Sequence, residues 1–202
     1  MTDLTTADLD ALTQWDTPTI CNALEITNPE RRGFGYNVKP LTSLDPALPP
    51  MIGYARTAKI RAAAPATVAA DRLEYYEYVA TGPRPTIVVI EDVDPSPGYG
   101  AFWGEVQTNV HKGLGAKGCV TNGCFRDVTD SAPGFQLLGG MVNPSHAHVH
   151  VYMRVRACEH VCVCVCVCVY VRLPPTDSAT RPVTTAVHDF AAPCLDIHIH
   201  IP

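Results

Sequence analysis

Apolar runs and helical spacings alternate along the first two thirds of the chain. Residues 52–60 alternate apolar and polar positions as a strand does, and residues 86–90 form the continuous β-branched run of a buried strand. Residues 71–79 between them have the length of a short helix, and we expect their three tyrosines to pack rather than to stack on bases. Strands that alternate with helices predict an α/β fold.

Two short helices are predicted at the start of the chain. Thr5 or Thr6 can cap the first, and Pro18 suits the first turn of the second. The apolar positions of these helices are expected to face the core: Leu9, Leu12, Ile20, Cys21 and Leu24.

Residues 103–128, WGEVQTNVHKGLGAKGCVTNGCFRDV, combine a helix pattern with polar residues on either side of it. The helix is predicted to begin near Glu105 and to bury a stripe formed by Val106, Val110 and Leu114. Glycines at 113 and 115 end it, and a strand over residues 118–121 leads through a turn at residues 122–123 to Arg126 and Asp127.

This order of elements brings distant polar groups together. A helix that runs back along the following strand places its first turn beside the end of that strand, so Glu105, Arg126, Asp127 and the amides of residues 104–107 should surround one crevice. Such a crevice suits a small anion bound by arginine and amides, together with a divalent metal bound by carboxylates.

Composition limits the class of protein. The 202 residues fit one domain, and a net charge of -5 argues against nucleic-acid binding, which needs a basic face. No apolar run is long enough for a membrane helix, and the first ten residues lack the features of a signal peptide. We therefore expect a cytoplasmic protein with neither nucleic-acid nor membrane partners.

The spacing of these polar residues resembles a family signature. Gly104-Glu105, twenty intervening residues and then Arg126-Asp127 is similar to the G-[D/E]-x20-R-D signature of the RraA-like family. Residues 12–25 and 133–151 resemble the family's flanking segments. The family includes class II 4-hydroxy-4-methyl-2-oxoglutarate/4-carboxy-4-hydroxy-2-oxoadipate aldolases, oxaloacetate decarboxylases and regulators of ribonuclease E.

The resemblance implies roles for individual residues. Asp127 would bind a divalent cation, Mg²⁺ or Mn²⁺, and Glu105 would orient water bound to it. Arg126 would bind the carboxylate or keto oxygen of a 2-oxo acid, with Gly104, Glu105, Val106 and Gln107 completing the substrate site. The expected reaction is retro-aldol cleavage of 4-hydroxy-2-oxo dicarboxylic acids, or decarboxylation of oxaloacetate, through a pyruvate enolate.

The same resemblance implies an architecture and an alternative function. The fold would be a single RraA-like domain of the swivelling β/β/α type, assembled as a homotrimer or homohexamer. The alternative is a non-catalytic regulatory binding protein of the RraA type, or an inactive product of a faulty gene model.

The last quarter of the chain differs from the rest. Residues 161–169 read VCVCVCVCV, which a GT dinucleotide repeat would encode in one frame, and family-like sequence returns at residues 187–193. We therefore predict a catalytic domain over residues 1–150, an aberrant, intron-derived segment over 151–186, and over 187–202 a remnant of the family C-terminus or a misread tail.

Other candidate ligands are assigned structural roles. Residues 91–94 are interpreted as a solvated strand end, and His111 as a surface residue of the central helix. His146, His148 and His150 would share one strand face, at a subunit interface or beside the crevice. Cys119 and Cys124 are interpreted as buried apolar residues.

Overall fold

The computed structural model describes residues 5–33, 36–67, 72–152, 161–165 and 168–170; for Arg31, Tyr152 and the last two ranges it describes the backbone alone. These residues form an α/β fold, as predicted. The helices are α1 (Thr6–Leu12), α2 (Thr17–Thr27), a 3-10 turn (Pro29–Gly33), α3 (Arg72–Ala80) and α4 (Glu105–Gly113). The strands are β1 (Thr42–Ser43), β2 (Met51–Arg61), β3 (Thr86–Asp92), β4 (Ala116–Thr121), β5 (Cys124–Phe125), β6 (Gln136–Gly139), β7 (Met141–Val142), β8 (His150–Tyr152), β9 (Val161–Val165) and β10 (Cys168–Tyr170).

One mixed sheet carries the fold. Its order is β1-β6-β4-β3-β2-β9-β10, with β2, β3, β4 and β6 parallel, and β8 pairs with the last residues of β2. A second sheet joins β5 to β7. The predicted strands over residues 52–60 and 86–90 are confirmed as parts of β2 and β3. The carboxyl ends of the parallel strands therefore share one edge, where ligand crevices commonly form in such sheets.

The two faces of the sheet bury different clusters. Alternate side chains of β2, β3, β4 and β6 pack on one face against α3, Trp103 and Phe135. The neighbouring positions of the same strands form a smaller cluster on the other face. Both faces of a parallel sheet are thus apolar, which accounts for its continuous β-branched runs.

The N-terminal helices begin at the predicted residues. Thr5 and Asp8 form a reciprocal capping box, and Asp16 caps α2. Leu9 and Leu12 are buried against Ile52. The side chains of α2 that were predicted to be buried are less buried than expected, because Ile20, Cys21 and Leu24 are only half-buried.

The predicted apolar stripe of α4 is wrong. Val106 is 65% exposed, and Val110 and Leu114 are half-buried. The buried side chains of α4 are instead Thr108 and His111, which lie three positions apart on one face. Thr108 can be buried because its hydroxyl donates to the Gly104 carbonyl at 2.9 Å and accepts the Ala132 N–H at 2.9 Å.

His111 is fully buried, so its assignment to the surface was wrong. Its Nδ1 lies 2.7 Å from the Gln107 carbonyl, and its Nε2 lies 2.8 Å from the Tyr75 hydroxyl. Because a carbonyl only accepts, Nδ1 carries the proton, and Tyr75 donates to Nε2. The ring centroid of Trp103 lies 4.5 Å away. The imidazole therefore links α3 to α4 inside an aromatic cluster, and burial lowers its pKa to about 4.

Two acidic residues of the strand end, Asp92 and Asp94, are also buried rather than solvated. Asp94 accepts the N–H groups of Ala62 and Ala63 at 2.7 and 2.9 Å through Oδ2, and Asp92 accepts those of Asp94 and Gly98. Burial raises the pKa of Asp92, against the lowering effect of these two donors. The cluster thus fixes the loop that follows β3 by satisfying backbone donors.

Part of the C-terminal prediction lies outside the described residues. This holds for residues 187–202 and for most of 151–186. Within the latter, β9 pairs antiparallel with Met51–Tyr54 of β2, and β10 pairs with β9. The intron-derived origin stays a prediction. In the part of the chain that the structure describes, no helix combines the length and apolar character that a membrane span requires.

We predict that Asp94→Ala lowers the free energy of unfolding by roughly 1–3 kcal/mol, because the buried Ala62 N–H and the part-buried Ala63 N–H lose their acceptor. Urea unfolding measures the change. Asp94→Asn keeps one acceptor oxygen and should lose less. Asp10→Ala, at an exposed position of α1, is the control and should shift the value by under about 0.5 kcal/mol. Equal losses in the alanine and control variants would contradict the anchoring role.

We predict that His111 makes the fold acid-sensitive. Between pH 6.5 and about 4 the unfolded state binds a proton at this ring and the folded state does not, so stability falls as pH falls through that window. The loss at pH 4 is on the order of 3 kcal/mol. Urea unfolding of the wild type and of His111→Gln at pH 7 and pH 4.5 isolates the contribution, because other groups are common to both. The same pH dependence in both proteins would refute it.

A cleft at the first turn of α4

A cleft of about 590 Å³ lies at the carboxyl edge of the sheet. It is lined by the end of the loop that precedes α4, by the first turn of α4, by Arg126 and Asp127 after β5, and by residues 146–150 before and at the start of β8. Arg72, the first residue of α3, completes the polar lining. This volume is typical of a small-molecule site.

Asp127 joins the first turn of α4 to the segment after β5. Its Oδ2 accepts the Glu105 N–H at 3.2 Å and lies 3.2 Å from the Arg126 Nε. Its backbone has a φ of 53°, in the left-handed region that aspartate tolerates better than most residues. The Ser131 N–H and hydroxyl both donate to its carbonyl at 2.9 Å. The turn therefore holds the carboxylate at the positive end of a helix.

Arg126 is fixed at both ends. Its backbone N–H donates to the Trp103 carbonyl at 3.0 Å, and its Nη1 lies 3.5 Å from the Pro144 carbonyl. The side chain is 34% exposed and reaches the cleft. A guanidinium held in this way can present its remaining donors to a carboxylate or a keto oxygen.

Backbone donors lie beside these two side chains. Gly104 is the N-cap residue of α4 and offers no side-chain cap, so the helix satisfies neither the Val106 nor the Gln107 N–H. The Gln107 side chain accepts the Tyr76 hydroxyl at 3.1 Å, which links it to α3. The first turn of α4 can therefore bind an anion that enters the cleft.

The close approach of Asp127 to α4 requires glycine at position 104. A Cβ there would clash with the Asp127 Oδ2 and would lie 3.0 Å from the Arg126 Cγ. The need is for space, since the φ of Gly104 is 178° and any residue can adopt it. At the other end of α4, a Cβ at Gly113 would meet nothing within 4 Å.

The structure brings most of the predicted site residues together. Gly104, Val106, Gln107, Arg126 and Asp127 all line the cleft. Glu105 does not line it, and its side chain is exposed, although its N–H binds Asp127. The cleft thus gathers Arg126, Asp127 and the first turn of α4 as predicted, but not the Glu105 side chain, and the catalytic, substrate-binding and metal-binding roles stay predictions.

The three histidines do not share one strand face. His146 and His148 are exposed in the turn before β8, and only His150, 7% exposed, belongs to the strand. The turn is closed by the Val149 N–H, which donates to the His146 carbonyl at 2.9 Å, and Ala147 within it has a φ of 44°. All three nevertheless line the cleft, which confirms that they lie beside it.

Sequence reasoning missed Arg72. The residue follows a stretch of small side chains and has no neighbouring pattern that marks it as functional. Arg72 enters the site because α3 begins at the cleft.

The remaining candidates do not form a metal cluster. No group of three or more His, Cys, Asp or Glu side chains arranged for a metal occurs among the described residues. Cys119 and Cys124 are fully buried, as predicted. Burial raises the pKa of both thiols, that of Cys124 to about 11, with the Asp92 charge adding to the effect there. Neither thiol is a nucleophile at neutral pH.

Solved structures share the fold at low sequence identity. One is described as a novel cellulase from microbes of the gut ecosystem, with a TM-score of 0.61, 15% identity, and 85% of this chain and 81% of that chain covered. An uncharacterized protein of Pseudomonas syringae pv. tomato matches with a TM-score of 0.57 and 17% identity, and the match covers 85% of this chain and 82% of that chain. RraAS2 of Streptomyces coelicolor is described as an unusual member of the RNase ES inhibitor RraA family. It matches with a TM-score of 0.55 and 18% identity, and the match covers 74% of this chain and 72% of that chain.

The sequence itself places the chain among its relatives. No curated protein matches it closely enough to count. The profile of the RraA-like family, described as Aldolase/RraA, matches residues 17–158, well over half of the 202 residues. That span contains the cleft, its two arginines and Asp127. The chain belongs to the RraA-like family.

Proposed function

We propose that this protein is a divalent-metal-dependent carbon–carbon lyase that cleaves 4-hydroxy-2-oxo dicarboxylic acids or decarboxylates oxaloacetate. The observation that carries the proposal is the meeting of Arg126, Asp127 and the first turn of α4 at one cleft. The family includes such enzymes as well as regulators. A regulator that acts by protein contact has no need of this arrangement.

The substrate's 2-oxo acid end binds at the first turn of α4. The amides of Val106 and Gln107 receive its carboxylate, and the Arg126 guanidinium binds the carboxylate or the neighbouring keto oxygen. Arg126 is suited to this role because its contacts with Asp127 and Pro144 leave other N–H groups available. The acid is thus held with its keto group beside Asp127.

The donor set at Asp127 fits Mg²⁺ or Mn²⁺. Oδ2 is engaged by the Glu105 N–H and Arg126, whereas Oδ1 has no hydrogen-bond partner among the described residues. Mg²⁺ commonly binds one or two carboxylates and keeps several waters, so a three-residue cluster is not required. Asp127 would hold the cation, and exposed Glu105 would act on its hydration shell. A bound cation would supply a Lewis acid that stabilises negative charge on the keto oxygen.

Both reactions break the bond between C3 and C4 and leave its electron pair as pyruvate enolate. The Arg126 charge stabilises the oxygen on which that negative charge develops. In retro-aldol cleavage the 4-hydroxyl loses its proton as C4 becomes a carbonyl. We propose that a water molecule oriented by Glu105 accepts this proton. In decarboxylation C4 leaves as CO₂ and no base is needed. Protonation of the enolate at C3 completes either reaction.

We also propose that the enzyme acts in the cytoplasm as a homotrimer or homohexamer. Cys21, Cys119 and Cys124 are free thiols, which is typical of a reducing compartment. Large apolar side chains remain exposed near the N-terminus and next to the cleft, as expected for a subunit interface: Trp15, Ile26, Val38, Tyr99, Val128 and Val142.

The test is release of pyruvate from 4-hydroxy-4-methyl-2-oxoglutarate and from oxaloacetate, with Mg²⁺ and with EDTA. We predict that Asp127→Asn lowers Mg²⁺-dependent turnover by on the order of a hundredfold or more, because the charge is lost. Asparagine tolerates the left-handed backbone, so the fold is retained. Arg126→Lys, which keeps the charge and loses the planar fork, should cost roughly ten- to a hundredfold in kcat/KM.

Asp130→Asn, at an exposed acidic position nearby, is the control and should behave as the wild type. Turnover that is indifferent to EDTA, or full activity in Asp127→Asn, would rule out the metal mechanism. A folded wild type that releases no pyruvate from either acid would instead favour a regulatory binding protein.

A matched pair of glycine variants tests the geometry of the site. Gly104→Ala should lower kcat/KM at least about tenfold, because its Cβ displaces Asp127 and Arg126. Gly113→Ala, on the same helix, meets open space and should keep full activity while raising stability by about 0.5–1 kcal/mol. Pyruvate release and urea unfolding report both effects. Equal activity in the two variants would show that the approach of Asp127 to α4 is unimportant.

A further inference from the structure

The cleft contains a positive charge that the proposed chemistry does not use. Two arginines and one aspartate line it, on a chain whose net charge is -5. The Arg126 charge is matched by Asp127 at 3.2 Å. Arg72 has no carboxylate within 4 Å among the described residues, and it is exposed. The unmatched cation therefore belongs to α3, on a different element from the one that binds the 2-oxo acid end.

The cleft is also larger than the reacting part of the proposed substrate. Its volume of about 590 Å³ greatly exceeds what a three-carbon oxo acid fills. Its remaining lining combines Arg72 and the exposed His146 and His148 with the apolar side chains of Phe102 and Val149. Such a lining suits a short carbon chain that ends in a second anionic group.

From this geometry we propose that Arg72 is the specificity-determining residue that binds the distal carboxylate of a dicarboxylic 2-oxo acid. The inference rests on the proposed function and deepens it. His146 and His148 supply further hydrogen-bonding groups on the turn beside β8. Arg72 binds the distal carboxylate of the substrate, while Arg126 and the first turn of α4 bind the 2-oxo acid end that reacts.

This position has a consequence for the choice of reaction. In retro-aldol cleavage the distal carboxylate keeps its charge, so its contact with Arg72 persists through the reaction. In decarboxylation of oxaloacetate the distal carboxylate is the group that becomes neutral CO₂. A cation bound to it stabilises the starting anion more than the transition state and opposes the loss of CO₂. Arg72 therefore favours the aldolase over the decarboxylase.

Binding tests the assignment independently of turnover. Calorimetry compares 2-oxoglutarate, which has two carboxylates, with pyruvate, which has one. We expect the wild type to bind the diacid more tightly, and Arg72→Gln to weaken diacid binding about tenfold or more while weakening pyruvate binding much less. Arg72→Lys should recover part of the loss. Arg32→Gln removes an arginine that does not line the cleft, and it should change neither affinity.

Turnover then tests the choice of reaction. Pyruvate release from 4-hydroxy-4-methyl-2-oxoglutarate should fall about tenfold or more in Arg72→Gln relative to release from oxaloacetate. Equal weakening of diacid and monoacid, or a wild type that does not prefer the diacid, overturns the assignment of Arg72. An unchanged ratio of the two turnovers overturns its effect on the reaction. If the wild type prefers the diacid in an Arg72-dependent way but releases no pyruvate, the proposed lyase activity is refuted, and Arg72 is still a carboxylate-binding residue.

Discussion

The contact between the Asp127 carboxylate and the first turn of α4 is the constraint on which the site depends. It occurs only because Gly104 leaves space for the carboxylate, and because a left-handed residue turns the chain there. The same carboxylate pairs with Arg126, whose backbone is bonded to Trp103. This one carboxylate thus sets the position of an anion, a cation and a helix terminus, and the rest of the fold supports these three groups.

Much of that support comes from buried polar side chains that bind backbone groups. Asp92 and Asp94 hold the loop that leads towards α4. The Asn122 side chain binds the backbone of Asp92 twice, accepting its N–H at 2.7 Å and donating to its carbonyl at 2.9 Å. His111 and Thr108 hold the buried face of α4. Each of these side chains loses contact with water and gains directed hydrogen bonds. These bonds fix the orientation of the bonded backbone more narrowly than apolar contacts of equal area do.

The sequence predicted elements and proximity better than side-chain environments. Apolar patterns identified β2 and β3, α4 begins at the predicted residue, and simple helix geometry brought residue 105 near residues 126 and 127. Burial of His111 was not predictable, since it depends on the Tyr75 hydroxyl, 36 residues earlier. Asp94 was assigned to solvent because its partners are backbone N–H groups, which a sequence does not display. Arg72 has no local signal, because its role arises from where α3 begins.

The strand order also determines when this fold can form. β1 pairs with β6, so that Thr42 lies opposite Gly139, close to a hundred residues later. Between them β2, β3 and β4 must align in parallel, each across an intervening segment. These three strands follow one another in the sequence and in the sheet, so they can pair in turn during synthesis, whereas β1 stays unpaired until β6 has been made. A strand pair of such long sequence separation slows folding, and β1 is open to pairing with another chain until its partner appears.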